Sequence, residues 1–127
     1  MNEQSSLRLL LIDDELTVLT SVHLLLTRLG YKHVRTAACA QDARALLMSY
    51  RFDIIIADIS LPDGDGRQLV RDALAHNPAA RAILISGFMY RGLMIPHDLY
   101  GKVELLAKPF TEEELSGLLM VNSSVAH

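Results

Sequence analysis

The stretch Ile54-Ile55-Ile56-Ala57-Asp58-Ile59-Ser60-Leu61-Pro62-Asp63-Gly64-Asp65-Gly66 decides how this chain is read. Its first four residues form an unbroken apolar run of strand length, with no polar residue in alternation. Runs of this kind belong to strands covered on both faces, as in a parallel sheet with helices on each side. The run stops at a carboxylate, Asp58, and the alternating Asp and Gly of residues 63–66 have the composition of a turn.

Outward from it the pattern repeats. Leu9-Leu10-Leu11-Ile12, Ala82-Ile83-Leu84-Ile85 and Val103-Glu104-Leu105-Leu106-Ala107 are further strand-length runs. His33-Val34-Arg35-Thr36-Ala37 alternates and suits a partly exposed strand. Helical patterns lie between them. Val18, Val22, Leu25, Leu26 and Leu29 share a stripe that Gly30 stops. Residues 40–48 are rich in helix formers. Leu69, Val70, Ala73 and Leu74 share a face before Asn77-Pro78 ends the helix. Thr111-Glu112-Glu113-Glu114 reads as a capping box opening a last helix with Leu115, Leu118 and Leu119 on one side. Gly92, Pro96 and Gly101 break the segment from Phe88 to Lys102, which predicts a short or irregular fourth helix. Five alternations of strand and helix predict an open, doubly wound α/β sheet with right-handed crossovers.

Bulk properties narrow the class. At 127 residues the chain has the size of one domain. It is 50% apolar and 21% charged, which excludes intrinsic disorder. A single cysteine, Cys39, forbids an internal disulfide or a Cys-rich zinc site and suits a reducing compartment, so a cytoplasmic protein is expected. The net charge of −3 offers no overall basic footprint for nucleic acid or anionic lipid. No apolar run approaches the roughly 20 residues of a membrane span, and residues 1–6 do not read as a signal peptide. The expected organisation is one domain over residues 1–127, with its core at about 7–120. Because only a short polar tail, residues 121–127, follows the last helix, output is expected to pass through a partner, or the chain is a piece of a larger kinase.

Ligands of open α/β sheets bind beyond the carboxyl ends of the strands. There the first strand ends in Asp13-Asp14, the third in Asp58, the fourth in Ser86 and the fifth in Lys108-Pro109. Singly, each residue has an ordinary reading as a turn former, a helix cap or a solvated charge. Together they bring three carboxylates, a hydroxyl and an ammonium to one edge. Clustered carboxylates repel one another unless a cation binds, and one divalent cation balances three carboxylates and one lysine. A hard cation with oxygen ligands and an open position, Mg²⁺ or Mn²⁺, fits such a site. A carboxylate beside that cation and an ammonium is arranged for phosphoryl transfer through an aspartyl phosphate.

Asp13-Asp14-Glu15, Asp58 through Gly66, Ser86-Gly87 and Lys108-Pro109-Phe110, in this order and spacing, resemble the receiver domain of two-component response regulators. The resemblance covers residues 7–120. It implies the flavodoxin-like fold, also called CheY-like, with strand order 2-1-3-4-5 and helices on both faces. It implies that Asp58 takes a phosphoryl group from a phosphohistidine on a sensor histidine kinase or a histidine phosphotransfer protein. It further implies that Asp14, Asp58 and the backbone carbonyl of Ser60 hold Mg²⁺, and that Asp13 holds a metal-bound water. Lys108 would pair with the phosphate, Ser86 would hydrogen-bond a phosphoryl oxygen, and Gly87 would leave room for it. The Lys108-Pro109 bond would be cis. The same resemblance implies self-catalysed phosphorylation and autodephosphorylation, and a monomer or a weak phosphorylation-dependent dimer.

Two features depart from the family pattern. Leu105 stands where the family switch places an aromatic, which puts the usual coupling to Ser86 in question and leaves phosphorylation-independent docking as an alternative. The irregular fourth segment and residues 101–110 look most like receivers joined to hybrid sensor kinases. A small aspartyl-phosphate phosphatase is the other alternative, but its pattern places the nucleophile on the first strand with a second Asp two residues later, and here that strand ends in adjacent Asp13 and Asp14.

Remaining polar and reactive residues carry ordinary readings. His23 lies beside the first helix's apolar stripe, on a helix that forms part of the kinase-docking surface in the family. His33, His76, His97 and His127 lack metal spacing. Cys39 has no evident cationic neighbour and reads as a small, buried or half-buried side chain. Phe88, Met89, Tyr90 and Met94 read as packing residues, with a partner surface as the alternative. Asp63 and Asp65 lack the downstream Glu of a calcium loop and read as a turn.

Overall fold

The computed structural model describes residues 5–87 and 95–125. Five parallel strands form one sheet: β1 (Arg8–Ile12), β2 (His33–Ala37), β3 (Ile54–Asp58), β6 (Arg81–Ser86) and β7 (Val103–Ala107), in the order β2-β1-β3-β6-β7. A two-stranded antiparallel ribbon, β4 (Ser60–Leu61) with β5 (Gly64–Asp65), interrupts the numbering. With that ribbon set aside, the order is the expected 2-1-3-4-5. The described residues form four α-helices: α1 (Leu16–Arg28), α2 (Ala40–Ser49), α3 (Gly66–His76) and α4 (Glu112–Val125).

Strand pleating explains the unbroken apolar runs. Successive side chains of β1, β3 and β6 point to opposite faces, and both faces are covered. Leu10, Ile12, Ile55, Ala57 and Leu84 pack with Ala40, Ala43 and Leu47 of α2 and Leu69, Val70 and Ala73 of α3. Leu9, Leu11, Ile54, Ile56, Ile83 and Ile85 pack with Leu19, Val22, Leu25 and Leu26 of α1 and Leu115 and Leu119 of α4. β2, an edge strand, is exposed at His33, Arg35 and Thr36, which accounts for its alternating sequence.

The helix boundaries follow local signals. Gly30, at φ 104°, ends α1 by donating its N–H to the carbonyl of Thr27. Only glycine adopts that backbone without penalty. The Thr111 hydroxyl accepts the Glu114 N–H at 3.0 Å while the Glu114 carboxylate accepts the Thr111 N–H at 2.8 Å, so the capping box forms as expected. α3 begins three residues before its apolar stripe, because Asp65 caps it by accepting the Arg67 N–H at 2.8 Å.

Between β6 and β7 the described residues hold a single 3-10 turn, His97–Leu99. Buried Leu99 and an ion pair from Arg71 of α3 to Asp98, at 2.8 Å, fasten that turn to the core. Phe88, Met89, Tyr90, Gly92 and Met94 lie outside the described residues.

Gly117 lies inside α4, where an added methyl group would meet nothing within 4 Å. Gly117→Ala is therefore expected to stabilise the chain by about 0.5–1 kcal/mol, read as a raised urea midpoint at unchanged slope.

Candidate functional site

β1 is flanked on one side by β2 and on the other by β3, so the chain leaves the sheet in opposite directions at that point, and a crevice opens at the strands' carboxyl ends. Register carries Asp58 to the crevice. Ile12 pairs with Ala57, so Asp13 and Asp58 both stand one residue further along. The backbone beyond the strands stays tied: Asp13 N–H donates to Ala37, Ile59 N–H to Ile85, and Lys108 N–H to Ser86, at 2.8–3.1 Å. Ser86 and Lys108 are thereby delivered beside the carboxylates.

Carboxylate oxygens of Asp13, Asp14 and Asp58 lie within 4.8 Å of one another. Asp13 is fully buried, Asp58 is 5% exposed and Asp14 is exposed. Lys108 Nζ donates to Asp58 Oδ2 at 2.9 Å, lies 3.0 Å from Asp13 Oδ2, and donates to Glu15 Oε1 at 2.5 Å. The other Asp58 oxygen accepts the Ser60 N–H at 2.9 Å, and Asp13 Oδ1 accepts the Glu15 N–H at 2.8 Å. Asp13 Oδ2 is buried and accepts no hydrogen bond of good geometry; its close approach to Lys108 is charge contact alone.

Burial pushes the Asp13 carboxyl above the ordinary aspartate value. The Glu15 N–H and the Lys108 ammonium only partly oppose it. Burial alone would push the Lys108 ammonium down, but hydrogen bonds to Glu15 and Asp58 and the close Asp13 carboxylate outweigh it and hold it above the usual lysine range. Lys108 is therefore a fixed cation at any working pH. A carboxyl whose folded value is raised contributes stability below its ordinary value of 3.8 and loses it as pH rises through the higher folded value. Ionised Asp13 thus costs stability at neutral pH. Asp13→Asn is expected to raise the melting temperature of the metal-free chain at pH 7 while weakening its affinity for Mg²⁺, both readable by calorimetry.

Glu15, which stands in the Asp13-Asp14-Glu15 motif with no role assigned to it from sequence, is a site residue through its bond to Lys108. With it, the site holds four carboxylates, three of them against the one ammonium, one more negative charge than the strand ends alone supply. Its position directly after Asp13-Asp14 was the available signal. Asp63 was also underread. Rather than serving only its own turn, it reaches across to α2, where its carboxylate accepts the N–H groups of Ala40 at 2.6 Å and Gln41 at 2.9 Å. Those bonds hold its carboxyl below the ordinary range and anchor the loop that begins at Asp58 and Ser60. Gly66 is required by close approach: a Cβ there would lie 2.0 Å from the Asp58 carbonyl oxygen.

The other expected positions fall as follows. Ser86 is buried at the end of β6. At Gly87 an added Cβ would meet nothing within 4 Å among the described residues. The Lys108–Pro109 peptide is cis. Leu105 is 39% exposed on β7, paired with Leu84. Glu15, Val18, Ser21, Gly87, Lys108 and Phe110 border an open groove of about 430 Å³ that leads to the lysine. His23 is exposed and stands apart from the carboxylates, and Cys39 is half-buried at the start of α2.

A buried carboxylate oxygen without a donor, in an all-oxygen cluster short of positive charge, fits a hard divalent cation. Donors of this kind suit magnesium, manganese or calcium better than zinc or copper.

Residues 9–119 match the family model described as the response regulator receiver domain. The chain is 29% identical over 108 residues to the alginate biosynthesis transcriptional regulatory protein AlgB of Pseudomonas aeruginosa, covering 85% of this chain and 24% of that protein. It therefore spans about a quarter of that relative's length. Among solved structures, a CheY-like response regulator receiver domain protein from Methanospirillum hungatei superposes with a TM-score of 0.81 at 25% identity, covering 92% of this chain and 93% of that one. A response regulator protein from Burkholderia pseudomallei, determined with a phosphorylated aspartic acid, a calcium ion and citrate, superposes at 0.79 with 27% identity, covering 94% and 69% of the two chains.

Proposed function

The chain belongs to the response regulator receiver domain family, and on that premise we propose that it accepts a phosphoryl group on Asp58 from a phosphohistidine on a sensor histidine kinase or histidine phosphotransfer protein. The observation that carries this reading is the placement of Asp58 Oδ2 against the Lys108 ammonium, inside a cluster of carboxylates that calls for a cation.

A carboxylate oxygen of Asp58 attacks phosphorus, the P–N bond to the imidazole breaks, and the imidazole nitrogen leaves with the electron pair and takes up a proton. Asp14, Asp58 and the Ser60 carbonyl would hold Mg²⁺, with buried Asp13 behind them. A cation held there would supply positive charge to the transferring oxygens. Lys108 exchanges its bond to Asp58 for one to a phosphoryl oxygen, since it cannot give up its proton at neutral pH. The Ser86 hydroxyl supplies a further donor. Both act by position and charge, the main contributions to phosphoryl transfer. Water then attacks the aspartyl phosphate, releasing inorganic phosphate and restoring the carboxylate.

Incubation with acetyl phosphate and Mg²⁺ is expected to add the mass of one phosphoryl group to the intact chain, and Asp58→Asn to remove that gain. An unmodified wild-type chain under those conditions would refute the reading.

Leu105 favours a second reading in which the domain docks its partner regardless of phosphorylation. Beryllofluoride with Mg²⁺ separates the two: a changed affinity for a phosphotransfer partner supports signalling through phosphorylation, and an unchanged one supports docking alone. No described helix is long and apolar enough to cross a membrane. Attachment of this domain to a hybrid sensor kinase is part of the same proposal.

A further inference from the structure

The opposite end of the sheet carries a second concentration of charge, of the other sign. At the amino ends of β1 and β2, about 16 Å along the strands from the carboxylates, a groove of about 370 Å³ is lined by Arg8, Lys32, His33, Arg35, Tyr50 and Phe52. Among the described residues no carboxylate lines it. In a chain of net charge −3, three permanent cations and an imidazole thus share one concavity.

These cations differ from three of the other described arginines, while Arg44, Arg51 and Arg81 likewise have no ion pair among the described residues. Arg28 pairs with Glu112, Arg67 with Asp65 and Arg71 with Asp98. Arg8, Lys32 and Arg35 have no ion pair among the described residues. Arg35 is held instead by a ring, its guanidinium carbon 4.0 Å from the centroid of Tyr50, which in turn packs edge-on to buried Phe52 at 6.2 Å. A ring fixes a guanidinium without using its N–H groups, so the donors stay free for a ligand. Asp53 accepts the Arg8 backbone N–H at 2.8 Å, which turns that carboxylate toward the chain.

We propose that this groove binds a phosphate-bearing small anion of nucleotide size. Guanidinium forks match phosphate oxygens in pairs, and the Arg35–Tyr50 stack offers a flat cationic surface for a planar ring. The volume lies within the range of small-molecule sites. Being at the far end of the strands, the groove does not compete with phosphorylation.

The ordinary role of charge on an exposed edge strand is to discourage pairing with another chain, and the experiment distinguishes the two. Amide resonances of the full chain are followed by NMR, without divalent cations, during titration with inorganic pyrophosphate and with ADP to about 1 mM. Saturable shifts confined to Arg8 and residues 32–35 and 50–52 are expected with both probes. Lys32→Glu combined with Arg35→Glu should weaken binding at least about tenfold, with unmoved β3 amides showing that the variant is folded. No saturable shift with either probe would overturn the site and leave edge protection as the role of these charges. ADP shifts that pyrophosphate does not produce would overturn the phosphate assignment. So would shifts that survive the double substitution.

Discussion

Lys108→Ala is expected to destabilise the metal-free chain by about 2 kcal/mol at pH 7, and to make its stability depend more steeply on Mg²⁺ than that of the wild type. The ammonium touches three carboxylates, at 2.9 Å to Asp58, 3.0 Å to Asp13 and 2.5 Å to Glu15. Removing it leaves buried Asp13 and Asp58 facing each other with no counter-charge. Breaking a fully buried pair costs about 3–5 kcal/mol, and the smaller figure reflects the exposure of Asp14 and Glu15, whose charges water screens. A divalent cation restores the missing charge, so the gain in melting temperature on adding Mg²⁺ should be larger for the variant. Phosphoryl transfer should fall in the same variant even at saturating Mg²⁺, because the second donor to the phosphoryl oxygens is gone. Equal Mg²⁺ responses in variant and wild type would show that Lys108 is a solvated charge with no part in balancing the cluster.

Gly66→Ala is expected to cost about 2–3 kcal/mol and to weaken Mg²⁺ binding, although alanine is the better helix former. Gly66 opens α3 directly beneath the end of β3, and its N–H donates to the Ile59 carbonyl at 2.8 Å. A methyl group there would sit 2.0 Å from the Asp58 carbonyl oxygen. Backbone must move to admit it, and the backbone that moves carries Asp58 and Ser60. The clash outweighs a helix-propensity gain of about 1 kcal/mol. Gly117→Ala supplies the control, being the same chemical change at an open helix position. Urea midpoints for the two variants should move in opposite directions, and isothermal titration should show reduced Mg²⁺ affinity for Gly66→Ala alone.

The parallel sheet was legible because strands buried on both faces leave unbroken apolar runs, and Ile54-Ile55-Ile56-Ala57 is the plainest of them. Edge strand β2 was legible for the opposite reason, since polar His33, Arg35 and Thr36 interrupt its apolar residues. The carboxylates, Ser86 and Lys108 were legible because each ends a run, and parallel strands bring such ends to one side. Glu15 was less so, because its partner lies 93 residues away in sequence and its place after Asp13-Asp14 does not show which ammonium it meets. Asp63 and Gly66 were hidden similarly. Their composition says turn, but the helix that Asp63 caps and the carbonyl that Gly66 must clear are set by tertiary packing. The β4–β5 ribbon, two residues per strand, is too short to carry a period. The net charge of −3, unremarkable as a total, conceals a sheet with carboxylates clustered at one end and unpaired cations at the other.

The central claim is that Asp58 itself carries the phosphoryl group. After reaction with acetyl phosphate and Mg²⁺, borohydride reduces an aspartyl phosphate to homoserine, and peptide mass spectrometry then locates the altered residue. Homoserine at position 58, and at neither 13 nor 14, is the predicted result. Homoserine at Asp13 or Asp14, or a stable phosphate ester on Ser86 with position 58 intact, would contradict it.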